Sequence, residues 1–110
     1  MTDKIVVLSA CASPEEADRI ARALVEKRLA ACVNVLPAMR SVYRWKDAVE
    51  NEQETLLIIK SSRGLFDALR AQIEKMHSYE VPEVIALPIV AGAEGYLEWM
   101  GRVLAEDPES

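Results

Sequence analysis

The chain has 110 residues, 51% of them apolar, and its 13 Lys and Arg stand against 18 Asp and Glu for a formal net charge of -5. This composition excludes a disordered or collagen-like chain and predicts one compact domain over 1–110. It also disfavours nucleic acid as a partner, because neutralising phosphates takes clustered Lys and Arg.

Lys4 to Ser9 is read as a central strand, since Ile5-Val6-Val7-Leu8 is apolar on both faces. Leu8-Ser9-Ala10-Cys11 imitates a lipoprotein cleavage box. The apolar run before it is too short for a secretory signal, whose core takes roughly 7–15 residues. Ser13-Pro14-Glu15-Glu16 then starts a helix, with a hydroxyl cap, Pro at the first helical position and Glu three residues on as in a capping box. Ala17, Ile20, Ala21, Leu24 and Val25 form its apolar stripe, and it should end near Leu29.

Cys32 to Trp45 predicts a second strand, with Pro37 marking it as an edge or a bulge. Ala48 to Lys60 predicts a third, polar in its first half and apolar on both faces from Leu56 to Ile59. The connection Lys46-Asp47 has no Gly, although Asp tolerates left-handed geometry. A second helix runs from Arg63 to Met76, with Phe66, Leu69, Ile73 and Met76 at helical spacing. Val84 to Ile89 predicts a fourth strand, again an edge because of Pro88. The last helix, Glu94 to Leu104, buries Leu97, Met100 and Leu104 before an acidic tail, Glu106 to Ser110. No stretch approaches the ~20 apolar residues of a membrane span, so no membrane partner is expected.

The order βαββαβ plus a C-terminal helix, with central first and third strands, predicts an α+β ferredoxin-like sandwich. Fully extended, Cys32 to Trp45 reaches roughly 45 Å at ~3.3 Å per residue, against a radius of gyration of about 13 Å for a domain of this size. The hairpin should therefore overhang its own core and carry Tyr43 and Trp45 at its tip. Sister subunits would cover such a patch, with Tyr43 and Trp45 as interface anchors. The alternative is a sharp bend at Pro37 that folds the arm back.

Leu29-Ala30-Ala31-Cys32-Val33-Asn34, Ser41-Val42-Tyr43-Arg44-Trp45, Glu54 followed by Leu56 to Lys60, His77-Ser78-Tyr79-Glu80-Val81-Pro82-Glu83 and Tyr96-Leu97-x-Trp99 succeed one another along the chain. Together they resemble the signatures of the CutA family, the divalent-cation tolerance proteins. The resemblance implies a ferredoxin-like fold, a homotrimer similar to PII-type signalling proteins, and a link to copper tolerance. It also implies a metal site built from a Cys at the end of the first strand and a His pair. A gap-free match counted back from Cys32 puts Ser9 at the Cys position and Met76-His77 at the His pair. Copper(I) accepts thioether and imidazole ligands, so Met76, His77 and a nearby Cys would make a weak site for copper or another divalent cation. The competing readings are Met76 as part of the apolar stripe and His77 as a helix C-terminal cap.

Cys11 stands just before the first helix, where the dipole would make a reactive thiolate, and Cys32 is read as a buried filler. With no Cys-x-x-Cys pair, a reducing cytoplasm is the expected compartment. Lys60, Glu54, Tyr79 and Glu83 are the candidate ligand-binding set, converging in an intersubunit cleft. The alternative is a salt-bridge cluster that sets subunit register. The alternating acids of Glu50 to Glu54 are read as a solvated face or as partners for Arg40 and Arg44 across the hairpin. No G-x-S-x-G, P-loop or H-E-x-x-H is present, so no catalytic residue is assigned. The leading expectation is a binding or signalling scaffold. A metabolite sensor, or an enzyme using Lys60, Tyr79 and Glu83, are the alternatives.

Overall fold

The computed structural model describes residues 2–106, so Asp107 to Ser110 of the predicted acidic tail lie outside the described residues. Its elements are β1 (Lys4–Cys11), α1 (Pro14–Glu26), β2 (Cys32–Trp45), β3 (Ala48–Ser62), a 3-10 turn (Arg63–Leu65), α2 (Phe66–Met76), β4 (Ile85–Pro88) and α3 (Glu94–Val103). The sheet order is β2-β3-β1-β4, with every neighbouring pair antiparallel. This is the ferredoxin-like α+β arrangement with a long β2-β3 hairpin and an added C-terminal helix. The doubly apolar strands are the central ones, and the two strands carrying proline are the edges. Among the described residues no helix is long and apolar enough to cross a membrane.

Several boundaries differ from expectation for local reasons. β1 runs two residues past Ser9, because Ala10 and Cys11 still pair with Leu56 and Thr55. The Ser13 hydroxyl accepts the Glu16 N–H at 3.2 Å and caps α1 as expected. α1 stops at Glu26 and not near Leu29. Arg28 turns left-handed at φ 59, and the Leu29 and Ala30 N–H groups return to the Leu24 carbonyl. That closing turn normally advertises itself with glycine; here an arginine adopts it. The second helix begins as the 3-10 turn, β3 gains Ser61 and Ser62, and β4 is shorter than predicted.

Strand parity explains the two faces of the sheet. Ile5, Val7 and Cys11 of β1 and Leu57 and Ile59 of β3 point toward the helices, where they bury Ala17, Ile20, Leu24, Leu69 and Ile73. A second cluster joins Ala31 and Leu65 to Met100 and Leu104 of α3. The opposite face carries Val6, Leu8, Leu56 and Ile58, all partly exposed, continued by Leu36, Ile85 and Leu87, which are more exposed still. Among the described residues of one chain nothing forms a layer over this apolar face.

The β2-β3 register shifts by one residue between Leu36 and Met39, so Pro37 sits at a β-bulge, and Ala38 takes φ 63. Pairing then continues to Trp45 opposite Ala48, through a two-residue turn in which Lys46 and Asp47 have φ 49 and 67. Two successive left-handed residues are the mark of a type I′ hairpin turn. The arm is therefore extended and not folded back at Pro37, and the molecule is 43 Å long.

Because the bulge adds one residue to β2 alone, it exchanges the faces of everything beyond it. Tyr43 lies opposite Glu50 and Trp45 opposite Ala48, on the apolar side of the sheet. Arg40 and Arg44 lie opposite Gln53 and Val49 on the other side. The expected pairing of Arg40 and Arg44 with the acids of β3 is thereby overturned.

Candidate functional site

Three elements meet at the C-terminal end of β1. Cys11 ends the strand with its side chain on the helix-facing side, fully buried. The first turn of α1 directs Glu16 to the same place, and that residue is only 6% exposed. His77 closes α2, its backbone N–H donating to the Ile73 carbonyl at 2.9 Å. It is the C-cap residue through its backbone, but its ring reaches β1 and does not cap the last-turn carbonyls of α2.

Ring nitrogen Nε2 lies 2.7 Å from the Ala10 carbonyl oxygen. A carbonyl can only accept, so Nε2 carries the proton. Nδ1 accepts the backbone N–H of Tyr79 at 3.1 Å, which requires a lone pair there. The hydrogen bonds therefore assign the neutral Nε2–H tautomer. Nδ1 is also 3.4 Å from Oε1 of Glu16, close enough for an ion pair by distance. In this tautomer, however, two acceptors face each other. Among the described residues Oε1 of Glu16 accordingly has no hydrogen-bond partner, an expensive condition for a buried carboxylate oxygen.

Cys11 completes the group. Its sulfur, a Glu16 carboxylate oxygen and a His77 ring nitrogen all lie within 4.8 Å of one another. Burial, reinforced by the charges of Glu16 and Glu54, pushes the Cys11 thiol up to about 12. The expected dipole-activated thiolate is corrected on this point: desolvation outweighs the helix terminus.

The group fits a transition-metal cation by the nature of its donors. Sulfur, imidazole nitrogen and carboxylate oxygen are zinc ligands at about 2.0–2.3 Å from the ion, so a contraction of roughly an ångström would bring all three within reach. The Nε2–H bond to a backbone carbonyl is the outer-shell arrangement that fixes a metal-binding histidine. The orphaned Oε1 supplies a negative atom lacking a counterpart.

Ser9 and Met76 occupy different surroundings. Ser9 is buried in β1 opposite Leu57, its hydroxyl oxygen also without a partner. It shares the helix-facing side with Cys11, two residues on. Met76 packs against the principal core. The register thus brings Cys11 and Glu16 to His77, a set that the gap-free count from Cys32 did not produce. Two signals were available: strand parity, which puts Cys11 in line with Ile5 and Val7, and the capping pattern, which puts Glu16 in the helical turn nearest the strand end.

On the other side of the sheet a cleft of about 800 Å³ lies between the hairpin arm and the segment following α2. Ala10 forms part of its wall, with Tyr43, Trp45, Glu50, Glu52, Glu54, Tyr79, Glu80 and Glu83. Among the described residues five carboxylates and no Lys or Arg line it. Glu54 is nearly buried and accepts the Tyr79 hydroxyl at 2.6 Å through Oε2. Burial, then the hydrogen bond to Glu54 and its charge, raise the Tyr79 phenol well above its ordinary value. The cleft thus joins three of the four residues expected to converge. Lys60 is elsewhere: its ammonium donates to the Asn34 side-chain carbonyl on β2. It shares a face with Glu54, yet six residues of strand separate them, roughly 20 Å. At the arm's tip Tyr43 and Trp45 are 37% and 40% exposed.

Residues 5–103 match the model of the CutA1 divalent ion tolerance protein family. The chain is 47% identical over 95 residues to the divalent-cation tolerance protein CutA of Thermus thermophilus, covering 86% of this chain and 92% of that one. It is 44% identical over 96 residues to the chloroplastic protein CutA of Arabidopsis thaliana, covering 87% of this chain and 53% of that one. The chain thus spans nearly all of the bacterial relative and about half the length of the plant relative. A solved structure of the Thermus thermophilus divalent cation tolerance protein superposes with a TM-score of 0.91 at 44% identity, covering 93% of this chain and 99% of that one.

Proposed function

The chain belongs to the CutA1 divalent ion tolerance protein family, and from that premise we propose that it binds a divalent cation through Cys11, Glu16 and His77 and works as a homotrimer. The observation that carries the binding reading is the buried, unpartnered Oε1 of Glu16 facing Nδ1 of His77, with the Cys11 sulfur alongside. A cation bound there would supply the positive charge that this oxygen lacks. The donor set favours zinc or copper over magnesium or calcium, whose sites are built from oxygen. Cys11 supplies the soft donor, Glu16 the charge and His77 a ring held in register by Ala10.

The test is calorimetric titration of the metal-free protein with zinc, and separately with copper, beside Cys11→Ser and Glu16→Gln. Loss of an outer-shell partner alone costs roughly 10–100-fold in metal affinity, so loss of either ligand is expected to cost about 100-fold or more. Unchanged affinity in either variant would overturn the site.

The trimer is supported by the uncovered apolar sheet face and by the arm that continues it with Tyr43 and Trp45. An exposed apolar face of this kind marks an association surface. Sedimentation equilibrium is expected to give the mass of three 12.2 kDa chains, and a stable monomer would refute the assembly. Cytoplasmic placement is part of the same proposal, supported by two free cysteines.

A further inference from the structure

We infer that Tyr79 gates the Cys11–Glu16–His77 site and couples its occupancy to the acidic cleft, an inference that rests on the cation reading above. The Ala10 carbonyl holds the Nε2 proton of His77, so Nδ1, the nitrogen facing Glu16, is the one able to serve as a ligand. Its single in-plane lone pair is already taken by the Tyr79 N–H at 3.1 Å. One lone pair cannot serve both, so a chain ready to accept a cation must first move the Tyr79 backbone away.

Tyr79 does not move freely. Its hydroxyl donates to Glu54 at 2.6 Å, a short charge-assisted bond. Its ring lies 4.7 Å from the His77 ring, centroid to centroid. One residue thus holds the buried site with its backbone and the cleft with its side chain. Opening the first bond strains the second, and whatever stabilises the second keeps the site closed.

Apparent affinity equals intrinsic affinity multiplied by the fraction of chains in the competent state. Weakening the closed state therefore tightens binding without touching a ligand. Tyr79→Phe removes the hydroxyl bond and keeps the ring, and zinc is expected to bind it about tenfold more tightly, the scale set by part of one charge-assisted hydrogen bond. Glu54→Gln retains an acceptor and should give a smaller gain in the same direction. Metal-free Tyr79→Phe should at the same time unfold at a lower denaturant concentration. A purely structural role would weaken binding and folding together.

The experiment is calorimetric titration with zinc alone on the assembled full-length protein, comparing the parent chain with Tyr79→Phe and Cys11→Ser, while the Tyr79 amide is followed by NMR. The expected result is tighter binding in Tyr79→Phe, loss of binding in Cys11→Ser, and a zinc-dependent shift of the Tyr79 amide in the parent. Equal or weaker binding in Tyr79→Phe, with binding still lost in Cys11→Ser, overturns the gate and leaves the site standing. Absence of zinc binding in the parent, or full binding in Cys11→Ser, removes the site and the gate together.

Discussion

His77→Ala is expected to lower the stability of the metal-free chain by about 3–4 kcal/mol, a large share of the ~5–15 kcal/mol typical of a domain. The ring ties the end of α2 to the end of β1 through Ala10, 67 residues away in sequence, and receives the Tyr79 N–H. Alanine leaves a carbonyl and an N–H without partners, each costing about 1–3 kcal/mol where water is excluded. It also opens a cavity beside Cys11 and Glu16. Relief of the two facing acceptors offsets part of this loss. Urea unfolding monitored by circular dichroism measures the change, and a loss below about 1 kcal/mol would mean that the ring does not tie the two elements together.

The second large effect comes from adjacent residues of β3. Ile59 is fully buried between Val7 and Val33 on the helix-facing side, whereas Ile58 faces the uncovered side between Leu8 and Asn34. Ile59→Ala should cost each chain about 3–4 kcal/mol, since a buried Ile-to-Ala change loses both transfer energy and packing around the cavity it leaves. Ile58→Ala removes the same atoms from the uncovered face, and under the proposed trimer its loss should appear as weaker assembly. Unfolding midpoints measured at several protein concentrations separate the two, because subunit binding makes stability depend on concentration. If Ile58→Ala behaves like Ile59→Ala at every concentration, the uncovered face is not an interface.

The topology was legible because independent features agreed. The runs Ile5 to Leu8 and Leu56 to Ile59 could only be central strands, and Pro37 and Pro88 could only sit at edges or bulges. The Ser13 cap was equally plain. The end of α1 was not, because Arg28 adopts a left-handed conformation that sequence pattern associates with glycine.

The site was harder to read for a geometric reason. Alternation along a strand tells which face a residue occupies but not how far along that face it lies. Hence alternation puts Lys60 and Glu54 on one side of the sheet, whereas within one chain Lys60 lies farther along the strand than the cleft that holds Glu54. Cys11, Glu16 and His77 come from three elements whose meeting depends on register. The sequence places Cys11 just before the first helix, where the dipole argues for a reactive thiolate, and carries no signal that the end of β1 is desolvated there.

The extra residue at Ala38 has a consequence beyond local shape. The outer half of β2 contains aromatic and basic side chains in alternation, Tyr43-Arg44-Trp45, so either flank could have become the sticky one. The count of residues between Leu36 and Met39 decides between them. An arm with the same composition and one residue fewer would turn its arginines where its rings now stand, presenting positive charge beside the carboxylates of β3. The identity of the surface offered to a neighbour is therefore written in arithmetic, odd against even, and not in the letters of the arm itself.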